Sequence, residues 1–188
     1  MDGPSVADAK RELRDELQAE RRAMSSAEID AARAAIRAAV LARMNSSDGR
    51  WTCVAGYRPL RTEPGSVQLL DALHASGVRV LVPLTLEDRD LDWLEWGAPS
   101  DPLGMPAIAT ADLILVPALA VSVDGVRLGR GGGSYDRALG RVAPGTQVVA
   151  LLFDGEVRDW LPADEWDVPV TAVVTPSGWR AVGSSGPR

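Results

Sequence analysis

The run from Arg127 to Asp136, Arg-Leu-Gly-Arg-Gly-Gly-Gly-Ser-Tyr-Asp, gathers the residue types of an anion site. Gly129, Gly131, Gly132 and Gly133 accept positive φ and carry no Cβ, so a ligand can reach the main-chain N–H groups. Arg127 and Arg130 flank its start, and Ser134, Tyr135 and Asp136 open a short helical pattern reaching Leu139. A helix N-terminus with free N–H groups beside guanidinium groups suits a chain of phosphates. A flexible connector is the plainer reading, but linkers seldom carry two Arg, a Tyr and an Asp at their edges. The Gly-x-Gly-x-Gly spacing, with no Gly-Lys-Ser/Thr ending, matches neither the Walker A loop nor the dinucleotide fingerprint.

Other groups able to do chemistry are few. Lys10 is the sole lysine among 20 Lys and Arg residues, and a compact ammonium is not interchangeable with guanidinium. Lys10 and Arg14 stand four apart on a predicted helix, so they project together and gain from an anion between them. A solvated helix face is the alternative. Glu63 lies in a loop after a predicted strand, where open parallel sheets place ligand contacts. Asp136 closes the glycine run, and Asp167 sits between Pro162 and Pro169, where a loop is almost forced.

The inventory also excludes. One cysteine (Cys53) and one histidine (His74) rule out an internal disulfide, a cysteine metal site and a histidine-dependent triad. A net charge of −6 argues against nucleic acid as a partner. No apolar run approaches a membrane span and no signal-peptide pattern opens the chain, so a cytoplasmic protein is expected. In 188 residues with 46% apolar and 5% aromatic content, one α/β domain with an Ala, Val and Leu core is expected. Its span is set at 1–181, with a disordered tail over 182–188.

The elements that must position these groups follow from the pattern. Helices are predicted over 7–22, with Leu13 and Leu17 on one face, and from 26 to about 44. The second has a Ser25–Glu28 capping box and an apolar stripe of Ile29, Ala32, Ile36 and Val40. Strands are expected over 51–57, 78–83, 91–96, 113–119, 147–153 and 170–175, with a Ser66-capped helix after the first. His74, near the end of that helix, reads as a partner of its dipole. Asp124-Gly125 predicts a hairpin turn leading into the glycine run. Alternating strands and helices give a three-layer α/β/α domain with a mostly parallel sheet.

Taken together, these residues resemble the 5-formyltetrahydrofolate cyclo-ligase family, also called 5,10-methenyltetrahydrofolate synthetases. The resemblance runs from Lys10-x-x-x-Arg14 to the segment 171–175. It is strongest over Leu115-Val116-Pro117-Ala118-Leu119-Ala120 and the glycine run. It implies ATP-driven, Mg²⁺-dependent cyclisation of 5-formyltetrahydrofolate to 5,10-methenyltetrahydrofolate by a monomer, with ADP and phosphate released. On that pattern ATP is held by Lys10, Arg14, Arg127, Leu128, Gly129, Arg130, Gly131, Gly132, Gly133, Ser134 and Tyr135. Glu63, Tyr57, Gly132 and Tyr135 contact the folate, Asp136 and Asp167 hold Mg²⁺, and Lys10, Arg127 and Tyr135 act in catalysis. Two rival readings fit fewer features: a fold relative with an ATP site and other chemistry, and a non-catalytic anion-binding module with both aspartates as structural caps.

Three departures from the family pattern stand out. Ser134 replaces an aromatic residue, Trp166 replaces a common histidine, and the segment between 96 and 112 is short. Asp167 also precedes the last predicted strand. It reaches Asp136 only if the connection 154–167 crosses back to the loop face, or if that strand runs antiparallel.

Overall fold

The computed structural model describes residues 5–46, 50–98 and 101–183. Helix α1 (Val6–Ala23) starts where the Ser5 side chain accepts the Asp8 N–H. Asp8 in its first turn and Arg21 and Arg22 in its last suit the helix dipole. Helix α2 (Ser26–Met44) has the expected reciprocal capping box between Ser25 and Glu28, and it buries Ile29, Ala32, Ile36 and Val40. Strand β1 (Cys53–Ala55) is shorter than the 51–57 expected. The Asp112 carboxylate takes the Thr52 and Cys53 N–H groups, while Trp51 stacks on Trp179 at 6.0 Å.

Helix α3 (Val67–Ala75), capped by Ser66, leads to β2 (Arg79–Thr85), and β3 (Leu91–Glu95) returns antiparallel beside it. A 3-10 helix (Met105–Thr110) precedes β4 (Leu113–Pro117). The hairpin β5 (Ala120–Ser122) and β6 (Arg127–Leu128) turns at Gly125 (φ 89°), as Asp124-Gly125 predicts. Then come α4 (Ser134–Leu139), β7 (Gln147–Leu151), β8 (Val157–Arg158), β9 (Ala172–Thr175) and β10 (Gly178–Ala181).

The main sheet has the order β10-β9-β7-β4-β1-β2-β3. Its five inner strands are parallel and both edges antiparallel. Alternation along β4 shows how it is covered. Leu113 and Leu115 face Ile36, Val40, Leu69 and Leu73 of α2 and α3. Ile114 and Val116 face Ile108, Ala138 and Leu139 of the shorter helices, together with Val121 of the small sheet β6-β5-β8. The second face is therefore covered partly by strands, which the helical pattern had not announced. Each such Val, Leu or Ile contributes roughly 1.5–3 kcal/mol by burial.

Helix α1 packs on the hairpin, where Leu17 joins Leu119, Ala120, Leu128 and Leu161. That contact fixes the height at which Lys10 and Arg14 meet the glycine run. Val182 and Gly183, placed in the tail by sequence, belong to the fold: their N–H groups donate to Thr171 O (3.0 Å) and Val123 O (3.0 Å). The remainder of that expected tail, 184–188, lies outside the described residues, as do residues 1–4 of the expected domain. Among the described residues no helix is long and apolar enough to cross a membrane.

Candidate active site

Strand order reverses between β1 and β4, whose carboxyl ends therefore diverge and leave a crevice. A cavity of about 340 Å³ opens there, walled by Tyr57 and Arg58 after β1 and by Pro117 and Ala118 at the end of β4. Every residue singled out from the sequence as a site candidate lines it. These are Lys10, Arg14, Tyr57, Glu63, the run from Arg127 to Tyr135, Asp136 and Asp167.

The glycine run forms the outer wall. Gly131 (φ 95°) and Gly133 (φ 69°) need the left-handed region. A Cβ on Gly129 would stand 2.7 Å from Arg127 Nη1. Arg14 Nε donates to Gly129 O at 2.8 Å, so the first helix clamps the run. Arg127 lies beneath, its Nη2 2.7 Å from Asp136 Oδ1 and its guanidinium 5.8 Å from the Tyr135 ring centre.

Lys10 Nζ lies 2.7 Å from Asp164 Oδ2 and 2.6 Å from Asp167 Oδ2. Burial works against its ammonium, but the hydrogen bonds to the two aspartates outweigh it and raise its pKa above the ordinary lysine value. Because β9 runs parallel to β7, the second topological alternative falls. The connection 154–167 instead crosses to the hairpin, pairing β8 with β5 on the way.

The inner wall carries Glu63, Tyr57 and Tyr135. Glu63 is buried; its Oε2 accepts the Leu60 N–H (2.8 Å) and its Oε1 faces Arg130 Nε at 3.4 Å. Burial, with Glu63 adding to it, pushes the Tyr57 and Tyr135 hydroxyls above the ordinary phenol range; for Tyr135 the Arg127 charge opposes the shift. Both rings therefore stay neutral donors, and neither hydroxyl makes a well-formed hydrogen bond. An unpaired buried donor costs free energy until a ligand supplies the acceptor.

For a metal ion, Asp136 and Asp167, the two carboxylates singled out from the sequence, are the candidate donors. Each gives one oxygen to a cation (Arg127 and Lys10), and the other oxygen makes no hydrogen bond among the described residues. Both also line an adjoining hollow. Among the described residues no three His, Cys, Asp or Glu side chains stand close enough to hold a metal together. Two free carboxylate oxygens fit a Mg²⁺ ion that also takes phosphate oxygens and water.

Four contributors had escaped sequence reasoning. Asp164 shares Lys10, and only its spacing of three from Asp167 in one loop hinted at it. Arg33 of α2 fixes the 58–65 loop by donating to the carbonyls of Leu60, Arg61 and Glu63. Arg58 lies over the Trp96 ring at 5.0 Å. Arg21 is buried and paired bidentately with Glu156, while its Nη2 also reaches Ala118 O at 2.6 Å. No local pattern marks the last three.

Comparison with known proteins points one way. The 5-formyltetrahydrofolate cyclo-ligase family model matches residues 6–176. The chain is 42% identical over 146 residues to the 5-formyltetrahydrofolate cyclo-ligase of Mycolicibacterium smegmatis, covering 68% of this chain and 74% of that protein. It is 42% identical over 71 residues to the Escherichia coli protein of the same name, covering 37% and 39%. Two solved structures share the fold. The 5,10-methenyltetrahydrofolate synthetase of Mycoplasma pneumoniae superposes with a TM-score of 0.76 at 22% identity, over 89% of this chain and 98% of that one. The Aquifex aeolicus synthetase gives 0.73 at 24%, over 95% of each.

Proposed function

The chain belongs to the 5-formyltetrahydrofolate cyclo-ligase family, and from that premise we propose that it cyclises 5-formyltetrahydrofolate to 5,10-methenyltetrahydrofolate at the expense of ATP. The observation carrying this reading is the junction of two unlike walls in one cavity. Lys10, Arg14, Arg127 and a Cβ-free main chain face a buried carboxylate and two neutral phenols. The first wall suits a triphosphate. The second suits a flat heterocycle bearing N–H donors and ring acceptors, with Glu63 accepting and Tyr57 and Tyr135 donating.

The formyl oxygen of the folate attacks the γ-phosphorus, and ADP leaves. An amide oxygen carries no proton, so this first step needs no general base, in keeping with a chain whose only histidine, His74, does not line the cavity. The neighbouring secondary amine then attacks the activated formyl carbon and passes its proton to an oxygen of the phosphate, which is expelled as the ring closes. Transfer of this kind depends on placement and charge neutralisation. In this reading Lys10 and Arg127 exchange their aspartate partners for phosphate oxygens. Asp136 and Asp167 would hold Mg²⁺, which supplies further neutralisation of the phosphates.

The test is direct. Supplied with ATP, Mg²⁺ and 5-formyltetrahydrofolate, the protein should form the methenyl product, followed by its absorbance, with one ADP per product. ATP binding without methenyl formation would favour a relative with other chemistry. Binding of neither substrate would end the enzymatic reading.

A further inference from the structure

Glu63 and Tyr57, two of the groups on the inner wall, both depend on the loop between residues 58 and 65. That loop has little packing of its own: Leu60 is 51% exposed, and Arg61 is exposed too. Within it a turn closes as the Glu63 N–H donates to Leu60 O (3.0 Å) and the Leu60 N–H to Glu63 Oε2 (2.8 Å). At the far end a Cβ on Gly65 would stand 2.8 Å from the Tyr57 hydroxyl oxygen, so the main chain there lies directly on that ring. Loops with few buried contacts open at small free-energy cost unless something outside ties them down.

The tie is Arg33. It stands next to Ala32 of the buried stripe on α2, and Ile36 and Val40 seat that helix in the core. Its Nε donates to Glu63 O at 3.0 Å, and its Nη2 to Leu60 O at 3.0 Å and Arg61 O at 3.1 Å. One planar guanidinium thus holds three carbonyls of the turn, in a fork that an ammonium cannot copy. Its ion pair with Asp30 is loose, at 3.9 Å to a side chain 75% exposed, and adds little. Arg33 does not line the cavity, so it reaches the site only through this loop.

We propose that Arg33 is a positioning residue for the folate: by fixing the 60–63 turn it sets where the Glu63 carboxylate meets the N–H donors of the heterocycle. A carboxylate already held in place loses little freedom when the ligand arrives, so the gain appears as folate affinity. The cations of the phosphate wall stand on other elements, Lys10 and Arg14 on α1 and Arg127 on the hairpin, and do not depend on Arg33. This inference rests on the placement of the folate against Glu63 proposed above.

Steady-state kinetics on the full chain, with each substrate varied in turn, test it on Arg33→Met, Arg33→Lys, Glu63→Gln and the Arg33→Met/Glu63→Gln double variant. Arg33→Met keeps the side-chain stem and removes the fork. The KM for 5-formyltetrahydrofolate should rise about tenfold, with kcat and the KM for ATP changed less than about twofold. Arg33→Lys should fall between, and the two changes should be less than multiplicative in the double variant, because Arg33 acts through Glu63. An unchanged folate KM in Arg33→Met, beside a raised one in Glu63→Gln, would overturn the role of Arg33 and leave the folate wall standing. Equal rises for both substrates, or fully multiplicative effects, would also overturn it, since Arg33 would then be a structural staple alone. Full wild-type behaviour in Arg33→Lys would replace the fork by a simple charge. If Glu63→Gln itself leaves the folate KM unchanged, the folate wall is misplaced and the inference falls with it.

Discussion

Lys10 and Asp167 meet at 2.6 Å although 157 residues separate them. The pair ties the first helix to the last long connection of the chain, across the mouth of the crevice between β1 and β4. Neither partner is placed by its own element alone. Leu17 seats α1 on the hairpin, and the pairing of β8 with β5 carries the connection to the same side. Asp136 and Asp167, the aspartates proposed to hold Mg²⁺, are paired with Arg127 and Lys10, the cations proposed to bind phosphate. Nucleotide and metal are thus expected to enter by one exchange of partners, which ties the binding of each to the other.

Lys10→Ala removes a cation from that exchange and leaves Asp164 and Asp167 without their shared partner. The KM for ATP should rise about tenfold or more, as expected for loss of a charge-assisted contact, with a smaller change for the folate. Steady-state kinetics with each substrate varied in turn decides it. A larger effect on folate would remove Lys10 from the phosphate wall.

The same lysine predicts a pH dependence of stability. Its pKa is higher in the folded chain than in the unfolded one, so the folded state holds the proton more tightly. The resulting stabilisation is fully present below about pH 10.4 and fades as pH rises through the folded value. Thermal melts at alkaline pH should therefore decline less steeply for Lys10→Met than for the wild type. Parallel declines would mean that the two ion pairs contribute nothing to folding; Asp164 is half exposed, so the effect should be modest.

Asp136→Asn keeps the shape of the side chain and one oxygen for Arg127 but removes the charge. Turnover should fall by at least about a hundredfold, and the residual rate should respond less to Mg²⁺. Melting should fall as well, because the buried Arg127 loses its counter-charge, although Asp136 itself is partly exposed and Arg127 keeps its place over the Tyr135 ring; the Mg²⁺ response therefore decides the role. Unchanged kinetics would defeat the metal assignment.

Glu63→Gln tests the other wall. The amide can still accept the Leu60 N–H, so the loop should hold its shape, but it no longer offers a carboxylate to N–H donors of the heterocycle. A KM rise for folate of roughly tenfold, with ATP little affected, is expected. An effect confined to ATP would instead place Glu63 on the nucleotide through its neighbour Arg130.

Much of this site was legible because its chemistry is local. Glycines at 129, 131 and 133, a lysine four residues before an arginine, and a turn at Asp124-Gly125 are patterns within a few residues. The helices were legible for the same reason, as the Ser25–Glu28 box and the stripe from Ile29 to Val40 show. What stayed hidden is long-range. Strand β8 has two residues and therefore no period, β10 exists only through its pairing with β9, and the start of β1 is held by Asp112, sixty positions on from Thr52.

Arg21 is the clearest such case, and it carries the last prediction. Nothing in the α1 pattern distinguishes it from Arg22, yet it is 2% exposed, bidentate with Glu156 and stacked over Phe153. Glu156→Gln leaves a buried guanidinium without its counter-charge, and the expected loss is about 3–5 kcal/mol. Urea unfolding should show it as a lower midpoint at unchanged slope. Replacing both partners, as Arg21→Met with Glu156→Leu, should recover much of that loss, since the pair was itself costly to desolvate. If the double variant is as unstable as the single one, the anchor is instead the hydrogen bond from Arg21 to the Ala118 carbonyl, which ties α1 to the end of β4 and so holds Lys10 and Arg14 over the crevice.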